Sequence, residues 1–231
     1  MVQMVIKEKE FVEIEYTGRI KSDDIIFDTT EEKIAKENKI HNPNMPYGPI
    51  TVCVGTGSVL IGLEKSIIGK EIGKSYKIEL SPENAFGKKD AKLLKIVNKN
   101  VFIKSNINPV PGLQVNIDGI TGVIKNVTGG RTVVDFNHPL SGKGLVYDLK
   151  INRLVTDAKE KIVSLVSLQF NLKPEAFEVK IDEKNVAGIK FKEGIKLKNF
   201  NTGMATEMMK ELVGLNDVVY FETEKSKPNK D

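Results

Sequence analysis

The chain of 231 residues contains no tryptophan, one cysteine and two histidines, and only 6% of it is aromatic. Each scarcity closes off a class of chemistry. Cys53 alone cannot form an internal disulfide, so a reducing, cytoplasmic setting is expected. With only His41 and His138, and with no HExxH, CxxC, Walker A or GxSxG motif, neither a metal site nor nucleophilic catalysis is expected, and no cofactor is called for. No apolar run approaches the roughly 20 residues that span a bilayer. The opening MVQMVIKEKEFVEIEY has no apolar core of a secretory signal, so no membrane partner is expected. A strong excess of one charge is missing as well: 35 Lys and Arg against 31 Asp and Glu give a formal +4. The lysines are scattered along the chain rather than gathered into one stripe, which argues against a nucleic-acid partner. The abundance of Lys, Glu and Ile fits either genome composition or heat adaptation.

What is present reads as a globular α+β protein, with 40% hydrophobic and 29% charged residues and length enough for two or three small domains. In VEIEYTG, Val12, Ile14 and Tyr16 alternate with Glu13 and Glu15, the period of a half-buried strand. Tyr76, Ile78 and Leu80 repeat the pattern, as do Tyr147, Leu149 and Ile151. Between the first two lies GTGSVLIGLEKSIIGK, where Val59, Leu63 and Ile67 share a helical face, Ser58 can cap the start and Gly69 suits the end. This predicts an antiparallel curved sheet wrapped around one short helix. From about Gly87 to Asn137 the texture changes. Asn108-Pro109-Val110-Pro111-Gly112 predicts an irregular turn, and GVIKNVT and RTVVDFN flank Gly129-Gly130, a hairpin signal. We read residues 88–137 as a small β-rich domain inserted into a first domain made of 1–87 and 138–155. Residues 156–231 read as a C-terminal α+β domain. Asp157 and Glu160 predict a helix start, with Val163, Val166 and Phe170 on one face. Strands FEVKI and AGIKF follow, then a helix from Thr202 with Met204, Met208 and Leu212 aligned and Gly214 as its stop. VVYFE closes the domain, and KSKPNKD is expected to fray.

One reaction needs neither nucleophile nor metal. Rotation about an X-Pro amide is opposed by resonance worth about 18–20 kcal/mol, and an apolar pocket favours the twisted, less polar amide over the planar one. The elements of such a pocket stand in order: Tyr16 in VEIEYTGRI, Phe27-Asp28 in IIFDTT, Gly55 to Glu64 in GTGSVLIGLE, Pro82 and Ala85-Phe86-Gly87 in SPENAFG, and finally LVYDLKI. Singly, Tyr16, Phe27 and Tyr147 read as sheet-core aromatics. Together, over about 130 residues, the five motifs resemble an FKBP-type peptidyl-prolyl isomerase domain. The insert after AFG, returning through Asn137-His138-Pro139-Leu140-Ser141-Gly142, resembles the SlyD-type subgroup, and the added C-terminal domain resembles long archaeal members. The resemblance covers about residues 1–155 and lacks the His/Cys-rich metal-binding tail of some members.

The resemblance implies a pocket of Tyr16, Phe27, Asp28, Ile50, Val59, Leu60, Leu63, Phe86 and Tyr147. In it Tyr16 would hydrogen-bond Asp28 at the pocket edge, the Leu60 N–H would face a substrate carbonyl, and Leu63 would form the floor where many relatives have tryptophan. Phe86 stands where a tyrosine hydroxyl is usual. The resemblance further implies action on unfolded or proline-containing polypeptides, an affinity for macrolide inhibitors, and client binding by the insert through Val101, Phe102 and Leu113. Those three residues also suit the insert's own small core. The rival reading is a holdase with weak or no isomerase activity. A nickel-handling protein is a third, weakened by the lack of clustered His and Cys. The C-terminal domain leaves a homodimer open.

Overall fold

Residues 5–43 and 45–223 are described by the computed structural model; the tail KSKPNKD lies outside them. Along the chain run β1 (Phe11–Ile20), β2 (Ile26–Thr29), α1 (Glu32–Glu37), β3 (Ile50–Cys53), α2 (Ile61–Ile67) and β4 (Ser75–Leu80). Next come β5 (Leu94–Asn98), α3 (Lys99–Lys104), β6 (Gln114–Ile117), β7 (Ile120–Thr128), β8 (Arg131–Asp135) and β9 (Leu145–Leu154). The chain continues with α4 (Ala158–Phe170), β10 (Phe177–Ile181), β11 (Val186–Phe191), α5 (Thr202–Val213) and β12 (Asp217–Glu222). These form two compact units, one of residues 1–20, 24–79 and 146–231, the other of 21–23 and 80–145. The architecture is α+β, built mainly on antiparallel sheets.

In the first unit a five-stranded sheet runs β2-β1-β9-β4, with β3 also paired to β1. The alternation read in β1 places Val12 and Ile14 in the core, while Glu13 and Glu15 meet Arg153 and Lys150 on the other side. Phe11 breaks the alternation by being buried too. Its cover comes from the C-terminal third: Phe11, Cys53 and Val155 share one core with Ile162, Val166 and Phe170 of α4. The Lys161 ammonium lies 5.3 Å over the Phe11 ring, and Lys9 pairs with Glu211. The α4 side chains therefore bury their apolar face against the five-stranded sheet as well as against the strands that follow them. Cys53 is a small buried hydrophobe there, its thiol pKa pushed up to about 11, chiefly by burial.

The C-terminal elements are a sheet β10-β11-β12, antiparallel then parallel, with α5 as the crossover before β12. Asp157 caps α4 by accepting from the Glu160 N–H at 2.8 Å, and Asn171 ends it with a φ of 51°. Asn201 caps α5, and Gly214 stops it at a φ of 82°. Its methionine stripe is turned one residue from the expected register. Ala205 and Met209 are buried, Met208 and Leu212 flank them, and Met204 faces solvent. A stripe of five apolar side chains leaves this choice to the partner surface, here α4 and β12.

The second unit centres on a four-stranded antiparallel sheet, β5-β8-β7-β6. Gly129 and Gly130 turn β7 into β8 with φ of 56° and 80°, as both central residues of the tight hairpin require. Asn98 caps α3 from the end of β5 by accepting from the Asn100 N–H, a local start inside a segment that reads as β-rich. Phe102 from α3 meets Val115, Ile124 and Val134 in the core.

Thr132 of β8 is fully buried, and its hydroxyl has no hydrogen-bond partner among the described residues. A buried unsatisfied hydroxyl costs about 1–3 kcal/mol, so Thr132→Val, of nearly equal shape, is expected to stabilise the insert by about 1 kcal/mol. Native-state hydrogen exchange of the β7 and β8 amides measures this. Slower exchange is the expected outcome, and unchanged or faster exchange contradicts it.

Candidate active site

Three aromatic side chains from three strands converge in the first unit. Tyr16 of β1 and Tyr147 of β9 meet edge-to-face with ring centres 5.7 Å apart, and Phe27 of β2 meets Tyr147 at 5.9 Å and 88°. Edge-to-face contacts of this kind are worth about 0.5–1.5 kcal/mol beyond area burial. The Tyr16 hydroxyl donates to Asp28 Oδ2 at 2.9 Å. Gly18 makes the approach possible. A Cβ there would lie 2.7 Å from Tyr147 Cε1 and 3.0 Å from Phe27 Cζ, so no larger residue fits without moving a ring. Gly18 also pairs with Asp28 in the β1–β2 register, and the buried Thr17 and Thr29 hydroxyls bond each other at 2.8 Å one step along.

Burial shapes the electrostatics. Desolvation raises the Asp28 carboxyl above its ordinary 3.8, partly offset by the hydrogen bonds from the Tyr16 hydroxyl and the Thr29 N–H. Tyr16 and Tyr147 are both pushed far above the usual phenol value, first by burial and then by the Asp28 charge. Both phenols therefore stay protonated donors at any physiological pH. The Tyr147 hydroxyl has no hydrogen-bond partner among the described residues.

The segment before α2 is held by one carboxylate. Glu64 is 3% exposed and accepts from the N–H groups of Gly55, Gly57 and Val59 at 3.0, 3.1 and 3.1 Å. Gly55 and Gly57 sit at φ of 92° and 75°, a region open to glycine. Leu60 is next; its carbonyl starts the helix by accepting from Leu63 and Glu64, while its N–H has no partner among the described residues. Leu63 is buried, Val59 and Leu60 are half-buried, and Ile50 is half-buried opposite Ile14 in the β1–β3 register.

The other candidates lie in the second unit. Phe86 stacks on His138 at 4.3 Å and 5°, and its carbonyl accepts from the Ser141 hydroxyl at 2.9 Å. Phe102 is only 2% exposed, Leu113 is half-buried against it, and Val101 faces solvent. Gly18 and Glu64 stood in the motifs as pattern letters, and motif reading assigned them no role. A cleft of about 740 Å³ on the charged side of β1, β9 and β4 is lined by Arg19, Lys77, Asp148 and Lys150 among others, and it shares only Tyr16 with the candidates. Its lining mixes those charges with Ile26, Ile34, Tyr76 and Leu149.

An apolar aromatic box with a buried carboxylate and an unused backbone donor suits an enzyme that rotates a bond rather than breaking one. The comparisons agree. The family described as FKBP-type peptidyl-prolyl cis-trans isomerase matches residues 3–103, and the IF domain of FKBP26 matches residues 95–140. The chain is similar to the short-type peptidyl-prolyl cis-trans isomerase of Methanocaldococcus jannaschii, 34% identical over 147 residues, covering 64% of this chain and 92% of that protein. It is similar to a probable FKBP-type 16 kDa isomerase of Pseudomonas fluorescens, 33% identical over 108 residues, 45% of this chain and 71% of the relative. It also resembles the FKBP-type isomerase SlyD of Helicobacter pylori, 28% identical over 126 residues, 52% and 67% of the two chains. The chain belongs to the FKBP-type peptidyl-prolyl cis-trans isomerases. It is an isomerase of proline-containing polypeptides, and among its described residues no helix is long and apolar enough to cross a membrane.

Two outcomes follow. Gly18→Ala is expected to destabilise the protein by about 1–3 kcal/mol through overpacking against Tyr147 and Phe27. It should also cut acceleration of a proline tetrapeptide, as read by chymotrypsin-coupled kinetics. Wild-type rate and melting temperature would show that the rings yield freely. The second concerns pH. Because the folded state holds the Asp28 proton more tightly than the unfolded state does, ionisation above pH 3.8 costs stability, increasingly as pH rises through the folded value. Asp28→Asn keeps an acceptor for Tyr16 and removes that cost. Its melting temperature should match wild type below pH 3.8 and exceed it at neutral pH; a gain confined to acid would reverse the sign.

Proposed function

We propose that the box of Tyr16, Phe27, Asp28 and Tyr147, with Val59, Leu60 and Leu63 beside α2 and Ile50 on β3, receives the proline of an X-Pro bond, and that the insert holds the client. The observation that carries the first part is the buried Tyr16–Asp28 pair against the Phe27 and Tyr147 rings, together with a Leu60 N–H left unused. A proline ring against aromatic faces leaves its amide poorly solvated. The planar form, which depends on charge separation, loses more there than the twisted form, and the barrier falls. The Leu60 N–H and the Tyr147 hydroxyl are available to substrate carbonyls, each worth about 0.5–1.5 kcal/mol when made. Phe86 is assigned to substrate contact by its motif alone, and it brings no hydroxyl. Family macrolides would compete for the same walls, with Leu63 a smaller floor than tryptophan.

Support for the second part is the match of residues 95–140 to the FKBP26 IF domain and the apolar side chains that this unit leaves in solvent, Val101 and Ile96 among them. Phe102 and Leu113 act there by holding α3 to the sheet. A chain held by the insert stays covalently close to the isomerase unit, so its prolines return at high effective concentration. Val219 and Phe221, exposed side by side on the edge strand β12, are where a second copy would seat.

The test separates the two parts. Asp28→Ala with Tyr147→Ala is expected to abolish acceleration of a short proline tetrapeptide. Removing residues 88–137 is expected to slow a proline-limited refolding reaction roughly a hundredfold while sparing most of the tetrapeptide rate. Equal losses in both assays would count against tethering. Suppressed aggregation with no X-Pro acceleration by the intact protein would favour the holdase.

A further inference from the structure

The lysines are spread evenly, but the acids are not. Residues 88–137 hold eight Lys and Arg against three Asp and no Glu, leaving 27 basic against 28 acidic residues in the rest of the chain. The whole excess of positive charge therefore lies in the insert. Two of its three acids are also engaged. Buried Asp135 takes Lys89 at 3.1 Å and lies 4.0 Å from Lys125, and Asp90 accepts from the Lys92 N–H. Lys95, Lys99 and Arg131 have no acidic partner among the described residues.

Arg131 borders an apolar surface. In the β5–β8 register Ile96 faces Val133 and Asn98 faces Arg131, and the inward positions beside them, Val97, Thr132 and Val134, belong to the core side. Ile96 therefore stands on the open side of the sheet, 68% exposed, with Leu94 two residues before it. A shallow depression of about 430 Å³ there is lined by Ile96, Asn126, Thr128, Gly129, Arg131 and Val133. The β5 strand is the sheet's edge, so its backbone can pair with an incoming extended chain.

Resting on the reading that the insert binds clients, we propose that this face selects unfolded segments in which aliphatic side chains alternate with Asp or Glu. The aliphatic side chains would sit on Ile96, Leu94 and Val133, and an acid would meet Arg131 on the same face, while Lys95, opposite Val134 on the other face of β5, and Lys99 add to the positive field around it. Polypeptide is favoured over single-stranded nucleic acid because the insert offers no ring for a base to stack on. Its aromatics are Phe102, buried, and Phe136, half-buried against the same core. Charge of one sign also explains how such a face stays soluble: copies of the insert repel one another.

The test uses the full chain and two fluorescein-labelled peptides of equal length and equal Leu, Val and Pro content, one with Glu and the other with Lys at the remaining positions. Anisotropy at low salt should show the acidic peptide binding about tenfold more tightly, with most of that advantage lost at high salt. Lys95→Glu with Lys99→Glu and Arg131→Glu should reverse the preference, with circular dichroism checking the fold. Should that variant not fold, the peptide pair and the salt series on the unaltered chain still decide. Equal, salt-insensitive binding of both peptides overturns charge selection and leaves client binding standing. Binding of neither overturns the client-binding reading as well. An unstructured RNA that displaces the acidic peptide at lower concentration overturns polypeptide as the occupant.

Discussion

The Glu64 carboxylate is the point on which the site depends. It is buried, and three backbone N–H groups from residues 55–59 converge on it. Each charge-assisted bond is worth about 1.5–3 kcal/mol, and together they offset its desolvation. Convergence forces the backbone into positive φ at Gly55 and Gly57, which brings the chain into α2 with Leu60 at its mouth. Glu64 uses the Val59 N–H, and the next donor along, on Leu60, has no partner among the described residues. An ordinary helix cap would have used the donors nearest the helix. Here a residue one turn inside reaches back instead.

Much of this was legible beforehand, for definable reasons. The alternation in VEIEYTG and LVYDLKI, the Gly129-Gly130 hairpin, the Asp157 cap and the Gly214 stop are local signals, set by the geometry of one or two turns. Tyr16, Phe27, Asp28 and Tyr147 could be grouped from ordered motifs, and they do stand together. What escaped depends on partners distant in sequence. Gly18 reads as a loose residue in a strand until the two rings above it are placed. Phe102 reads equally as a client contact and as core, and the choice is made by the helix that Asn98 starts, which turns it inward. The α5 stripe is one residue off, because the helix rotates to bury Met209 against α4 and β12 rather than Met204.

The two units divide the chemistry. The first holds the Tyr16, Phe27 and Tyr147 rings around a raised carboxyl, the place proposed above for the proline. The second keeps Ile96, Leu94 and Val101 exposed, and its Lys95, Lys99 and Arg131 have no acidic partner among the described residues. Such a surface is stable because its few core residues, Phe102, Val115, Ile124 and Val134, lie on one side of a four-stranded sheet and leave the other side free.

The shared core of the first unit has a consequence for the birth of the molecule. Phe11 and Met209 are buried in the same cluster, yet they lie about 200 residues apart. On a ribosome adding about 5–20 residues each second, Phe11 waits roughly 10–40 s for its cover. During that interval Phe11 and then Cys53 stand as bare apolar surface, and Val155 joins them only once two thirds of the chain is made. A protein that belongs to a family of folding enzymes is thus, while it is being made, an unfinished chain in need of one.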